Sequence, residues 1–105
     1  MGDANGNKSS AMKVIWSPRA ITHLIAIREF IEKDSDGNAA RVAGRIVNAA
    51  DLLSSQPHMG RPGRITGTRE LVVPDTPYIV PYRVRNERLE LLAVFDARRQ
   101  WPHKV

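Results

Sequence analysis

The chain has 105 residues, of which 42% are hydrophobic and 26% charged; these are the proportions of one globular domain, and they exclude two independent cores or a disordered chain. With no cysteine, a disulfide scaffold and every thiolate metal site are excluded, and no apolar run reaches the eighteen or so residues of a membrane helix. Sixteen Lys plus Arg against eleven Asp plus Glu give a net charge of +5, which predicts anionic partners, nucleic acid or an acidic protein, unless the charge only reflects coding bias and solubility.

Residues 1–11 are almost devoid of apolar side chains and include Asn5, Gly6 and Asn7 in a row. They are expected to be a mobile tail or a start-site extension ahead of a single domain over 12–102, with 103–105 as a short C-terminal tail. Met12–Trp16 reads as a short strand with Val14 and Ile15 at its centre. Ser17-Pro18 then reads as a helix start, a hydroxyl cap followed by proline at the first helical position. Ile21, Leu24, Ile25 and Ile31 follow helical spacing, with Ile27 and Phe30 widening the stripe. Asp34 to Asn38 is a stop and restart, with Gly37 available for a left-handed position.

A second helix is predicted from about Ala39 to Ser54. Ala43, Ile46, Val47, Ala50 and Leu53 form its apolar face, and Val42 and Ala49 lie at the edge of that face. The short link makes the two helices an antiparallel hairpin. After a connector rich in Pro and Gly, Gln56 to Arg64, three strands are predicted at Thr68–Val73, Tyr78–Arg85 and Arg88–Phe95. Asn86-Glu87 is the two-residue turn between the last two. Pro81 removes a ladder donor from the middle strand, so a bulge or an unpaired side is expected there. The order strand, helix, helix, strand, strand, strand is an α+β domain: a helical hairpin packed on a mainly antiparallel sheet completed by a C-terminal meander.

Few chemistries fit the remaining side chains. His23, His58 and His103 are far apart in sequence and form no ligand motif, so no metal is expected. His23 reads as a surface or packing residue of the first helix. The proline in Gly60-Arg61-Pro62-Gly63-Arg64 cannot donate an amide to a phosphate cradle, and no nucleophile elbow or nucleotide-binding fingerprint occurs. What remains is arginine on the sheet and after it: Arg69, Arg83, Arg85, Arg88, Arg98 and Arg99. Arg83 and Arg85 share a strand face. From Arg61 to Lys104 there are nine basic residues against five acidic ones, which is +4 of the total +5. Such a face could stabilise the charge that develops in RNA cleavage without a metal, or it could merely solvate the strands. Trp101-Pro102 reads foremost as a cap pinning the C-terminus to the core, and secondarily as a base-stacking platform.

Gly67-Thr68-Arg69-Glu70-Leu71, Tyr78-Ile79-Val80-Pro81-Tyr82-Arg83-Val84 and the closing run Val94 to Pro102, taken with the element order, resemble the RelE/ParE superfamily of bacterial toxins. The resemblance spans about residues 12–102. It implies a cytoplasmic toxin without a cofactor, held by a cognate antitoxin in a hetero-oligomer and not associated with a membrane. RelE-like members cleave mRNA on the ribosome without metal, and ParE-like members poison DNA gyrase. By position Arg69, Arg83 and Arg99 are the candidate catalytic residues. Arg69, Arg83, Arg85, Arg98 and Arg99 are the candidates for binding the target.

Two departures bear on the choice of target. Ile79 stands where the RNA-cleaving members often carry arginine, and Asp96 stands where they carry histidine. An aspartate ionised at neutral pH is a poor general acid and repels phosphate. The resemblance therefore favours a gyrase inhibitor over a ribosome-dependent endonuclease, with a non-toxic module that only binds its antitoxin as a corepressor as a third reading.

Overall fold

The computed structural model describes residues 11–99. Strand β1 (Lys13–Trp16) is followed by helices α1 (Pro18–Glu32) and α2 (Asp36–Leu52). Among the described residues five strands then follow: β2 (Arg61–Pro62), β3 (Arg69–Val72), β4 (Tyr78–Arg85), β5 (Arg88–Leu91) and β6 (Phe95–Asp96). The sheet runs β1-β5-β4-β3-β2, and β6 pairs with β4 beyond β5. Only β1 with β5 is parallel; all other pairs are antiparallel. The expected α+β architecture, a helical hairpin on a mainly antiparallel sheet, is therefore what the chain adopts. The expectations for the N-terminal tail and for Trp101-Pro102 concern segments lying, but for Ala11, outside the described residues.

The start of α1 follows from Ser17. Its Oγ accepts the Ala20 amide at 3.1 Å and donates to the Leu92 carbonyl at 3.2 Å, and Pro18 occupies the first turn. One hydroxyl therefore caps the helix and fastens it to the sheet. Helix α2 begins three residues earlier than its apolar spacing suggests. Ser35 is the cap, accepting the Asn38 amide at 3.1 Å, and Asp36 sits in the first turn, where a carboxylate suits the helix dipole. Gly37 is thus inside the helix rather than in a left-handed terminal position, and Gly67 is the one glycine with positive φ among the described residues. The buried side of α2 is centred on Val42, Ile46, Ala49, Ala50 and Leu53, while Ala43 and Val47 are half-buried. The predicted edge residues are the centre of the contact.

Tyr82, Leu89, Leu91, Val80 and Val73 join Ile46 and Leu53 as the largest fully buried side chains. Tyr82 also organises the connector: its hydroxyl accepts the Gly60 amide at 2.8 Å and donates to the Pro57 carbonyl at 2.9 Å. A Cβ on Gly60 would lie 2.7 Å from the Tyr82 ring and 2.9 Å from the Glu70 carbonyl, so only glycine fits there.

Two features depart from the predicted meander. Strand β2 is an extra two-residue pairing made by Arg61 and Pro62 with Glu70 and Arg69. The predicted final strand breaks after Leu91, and the break is a bulge against Pro81. Tyr82 faces Leu91 and Ile79 faces Phe95, so Val80 and Pro81 stand against three residues, Leu92 to Val94. Leu92 donates to the Pro81 carbonyl at 2.8 Å, and the missing proline donor falls where the ladder is already interrupted. The extra residue puts consecutive Ala93 and Val94 in the interior and sends β6 toward α1. The β4–β5 turn is as predicted, with Asn86 at φ 55° and Glu87 at φ 60°, the primed geometry of two-residue hairpins.

Candidate functional site

A cleft of about 330 Å³ opens between α1 and the corner where β4 meets β6. The helix contributes His23, Ile27 and Phe30; β4 contributes Tyr78 and Ile79; Val94 through Ala97 form the far wall, with Arg64 and Arg99 also lining it. The bulge after Leu91 supplies this wall by turning Phe95 and Asp96 toward the helix. His23 is bonded to the wall: the Val94 amide donates to its Nδ1 at 3.1 Å, and its ring lies 5.4 Å from that of Phe95. Arg99 spans the opening, its guanidinium 5.8 Å from the Phe30 ring centroid.

Three groups of the cleft, His23, Tyr78 and Asp96, have pKa values pushed away from neutrality. Burial, aided by the charge of Arg19, lowers the pKa of His23 below its ordinary value. With Nδ1 accepting an amide, its neutral form carries the proton on Nε2. Burial raises the Tyr78 hydroxyl, and the Asp96 charge adds to this against Arg98 and Arg99. Asp96 is lowered, chiefly by the hydrogen bond from the Arg98 side chain, with the Arg98 amide and the charges of Arg98 and Arg99 acting in the same direction against partial burial. Its carboxylate accepts the Arg98 amide at 2.9 Å and Arg98 Nη2 at 2.8 Å. The lone pair of the neutral His23 is already taken by the Val94 amide and the Asp96 carboxylate is already paired with Arg98, so neither is free to accept a proton from a bound substrate.

The arginines singled out from sequence fall into three groups by partner. Arg69 points inward to the connector, donating to the Gly60 carbonyl at 2.7 Å and the His58 carbonyl at 3.3 Å. Arg83 and Arg85 share a face, as their spacing requires, and both meet Glu90, at 2.7 and 3.9 Å. The Arg83 hydrogen bond is the main reason that the Glu90 carboxyl is lowered. Arg98 and Arg99 both meet Asp96, at 2.8 and 3.8 Å. Of these five, Arg99 alone lines the cleft.

Nothing in the sequence around Arg64 marks it as a cleft residue. It lies in the connector whose glycines suggested, and whose proline argued against, a phosphate cradle. That connector does hold an anion, the protein's own Glu70. This carboxylate, 2% exposed, accepts Arg61 Nη2 at 3.1 Å and the Arg64 amide at 3.2 Å, with Arg64 Nε at 3.6 Å. The signal available in sequence was the Glu in Arg-Glu-Leu, an acidic residue at a position facing the arginines of the connector. No group of His, Asp and Glu that could hold a metal occurs among the described residues, and no helix there is long and apolar enough to cross a membrane.

Comparison with known proteins places this geometry. The family model described as the ParE toxin of type II toxin–antitoxin system, parDE, matches residues 14–101. A protein of Sinorhizobium fredii named as toxin Y4kP is 48% identical over 93 residues, covering 89% of this chain and 96% of its own. A Caulobacter vibrioides protein named toxin RelE2 is 36% identical over 87 residues, covering 83% and 97%. The fold is shared with a solved chain of the chromosomal ParDE system of P. aeruginosa, with a TM-score of 0.75 and 23% identity over 83% of this chain and 97% of that one. It is shared also with a chain of the toxin–antitoxin complex RelBE2 of Mycobacterium tuberculosis, with a TM-score of 0.60 and 23% identity over 82% and 98%. The chain belongs to the ParE toxin family of type II toxin–antitoxin systems, within the RelE/ParE superfamily.

Proposed function

We propose that this toxin acts in the cytoplasm by binding DNA gyrase, and that a cognate antitoxin neutralises it in a hetero-oligomeric complex. The observation that carries the choice of target is the state of Asp96. Its carboxylate is tied to the Arg98 amide at 2.9 Å and to Arg98 Nη2 at 2.8 Å, and the neighbouring His23 Nδ1 is taken by the Val94 amide at 3.1 Å, so the cleft offers no unbonded base for cutting RNA. The sheet arginines support the same reading. Arg83 and Arg85 are matched to Glu90 and Arg61 to Glu70. A surface of half-neutralised, exposed guanidiniums suits a polar protein interface better than a tight cradle for a phosphorane.

For the antitoxin, α1 offers Ile21 and Ile25, one turn apart and 45% and 52% exposed. Exposed aliphatic residues at that spacing suit an amphipathic helix laid along α1. The endonuclease reading draws its support from Arg99 over the aromatic cleft, where a base could stack. Induced expression, with and without the product of the adjacent reading frame, tests the proposal. The expected outcome is growth arrest with DNA breaks and intact message, abolished by the neighbour's product. Rapid loss of message without DNA breaks would overturn the choice of target. Failure of any adjacent product to relieve the arrest would overturn the antitoxin.

A further inference from the structure

We propose that the face of the sheet turned away from the helices binds the phosphate backbone of duplex DNA through a row of cations, Lys13, Arg88 and Arg85. Strand pleating sends alternate residues to opposite faces. Val14 and Trp16 of β1, Leu89 and Leu91 of β5, and Val80 and Tyr82 of β4 pack into the core, so Lys13, Arg88 and Arg85 stand on the outer face. The register sets them side by side: Lys13 is opposite Arg88, and Arg88 is opposite Arg85. Neighbouring strands lie about 4.8 Å apart, so the row crosses three strands in about 10 Å.

Like charges directly opposite each other destabilise a sheet, and Glu90, one residue pair along, is the carboxylate that reaches this row. It meets Arg83 at 2.7 Å and Arg85 at 3.9 Å. Lys13 and Arg88 are exposed and take part in no ion pair among the described residues, not even with Glu87 in the adjoining turn. Such a row costs the fold stability and is matched by an anion of repeating charge. Each strand of duplex DNA carries one phosphate per about 3.4 Å of axis, so about three fall within the row. Bases have nothing to stack on there. Of the described aromatic side chains, Trp16, Tyr78 and Tyr82 belong to the core, and Phe30 and Phe95 line the cleft. A face of long cations without aromatics grips backbone rather than unpaired bases. That the duplex is DNA rests on the gyrase reading, because a protein bound to gyrase meets the DNA that gyrase holds.

Fluorescence polarisation of a short labelled duplex of arbitrary sequence, titrated with the full-length protein, tests the row without gyrase. Three phosphate contacts predict a slope of about −2.7 in log affinity against log salt, a loss of about 40-fold between about 50 and 200 mM. Lys13→Gln with Arg88→Gln should bring the slope to about −1 and weaken binding by about tenfold or more at the lower salt. This variant should melt no lower than the unsubstituted protein, since it relieves like-charge pairs. Arg85→Gln, at the other end of the row, should lower the slope by about one and gives the reading should the first variant fail to fold. Arg28→Gln with Arg41→Gln removes as much charge from exposed helix positions and should leave affinity within about twofold. No measurable binding at the lower salt, equal loss in the helix variant, or tighter binding of the same sequence single-stranded would overturn the proposal. So would equal binding of duplex RNA, which would remove the assignment to DNA. Because no gyrase is present, failure here leaves the choice of target standing, and a protein that binds duplex DNA but does not touch gyrase refutes only that choice.

Discussion

Removing one oxygen atom from Tyr82 tests how the connector is held. Tyr82→Phe keeps the fully buried ring and its packing but deletes the hydroxyl that accepts from Gly60 at 2.8 Å and donates to Pro57 at 2.9 Å. The Gly60 amide is in buried surroundings, and the Pro57 carbonyl is partly reached by water. Leaving a buried donor or acceptor unpaired costs about 1–3 kcal/mol, and a partly hydrated one costs less. The sum is about 2–3 kcal/mol, a large share of the 5–15 kcal/mol that holds a typical domain. Urea unfolding should show a midpoint lower by about 1–3 M with an unchanged slope, given slopes of about 1–3 kcal/mol/M for small proteins. A loss below about 0.5 kcal/mol would refute the reasoning, because it would mean that the connector is held without this hydroxyl. Burial raises the pKa of Tyr82, against the Gly60 hydrogen bond and the Arg69 charge, so the hydroxyl keeps its proton, and can donate to Pro57, at neutral pH.

Three further outcomes follow from the same structure. Glu87 holds φ 60° in the β4–β5 turn, a conformation costing a non-glycine residue about 1–2 kcal/mol; Glu87→Gly should stabilise the protein by about 1 kcal/mol in thermal unfolding, and a destabilisation would contradict the turn. His23 has a folded pKa below its unfolded value near 6.5, so the unfolded chain binds the extra proton first. Its contribution is full above about pH 6.5 and is lost as pH falls through the folded value, so urea midpoints should decline on acidification, and His23→Gln should flatten that decline. Arg69→Ala should lower stability by removing the bonds to Gly60 and His58, whereas Arg99→Ala, with its side chain 70% exposed, should leave stability within about 0.5 kcal/mol and reduce toxicity. Toxicity that falls with Arg69→Ala at unchanged stability would assign Arg69 to target binding rather than to holding the connector.

Local chemistry made much of the fold readable in the sequence. Ser17-Pro18 specified the start of α1 because a hydroxyl and a preset φ act within one turn, and Asn86-Glu87 specified a hairpin because two residues leave few turn geometries. Pro81 signalled a bulge but not which strand would carry it. The extra residue lies in the partner strand, at a sequence separation where only the register decides. Strand β2 escaped notice because two residues, one of them proline, carry no alternation. The start of α2 was misplaced because Gly37 suits a left-handed cap in isolation, and only the Ser35 hydroxyl on the Asn38 amide reveals it as helical.

The candidate site was less legible for a similar reason. Counting arginines located the positive charge, but each guanidinium's role depends on which carboxylate or carbonyl the fold brings to it. Arg69 and Arg83 look alike in sequence, yet one fastens a loop from the inside and the other is matched to Glu90 on a sheet face. Arg64 and His23 entered the cleft through long-range packing, which no spacing announces. Asp96 is the reverse case. Its identity alone predicted a fixed charge in place of a proton donor, and the surrounding arginines strengthen that prediction.

The proposed binding of gyrase, rather than cutting of RNA, can be tested in one pair of reactions. The most direct measurement incubates the purified protein in parallel with gyrase on supercoiled DNA and with ribosomes programmed with message. The expected result is accumulation of cleaved DNA–gyrase complexes, relieved by the antitoxin, with the ribosome-bound message intact. Cleavage of the message within the ribosome, with gyrase unaffected, would contradict it.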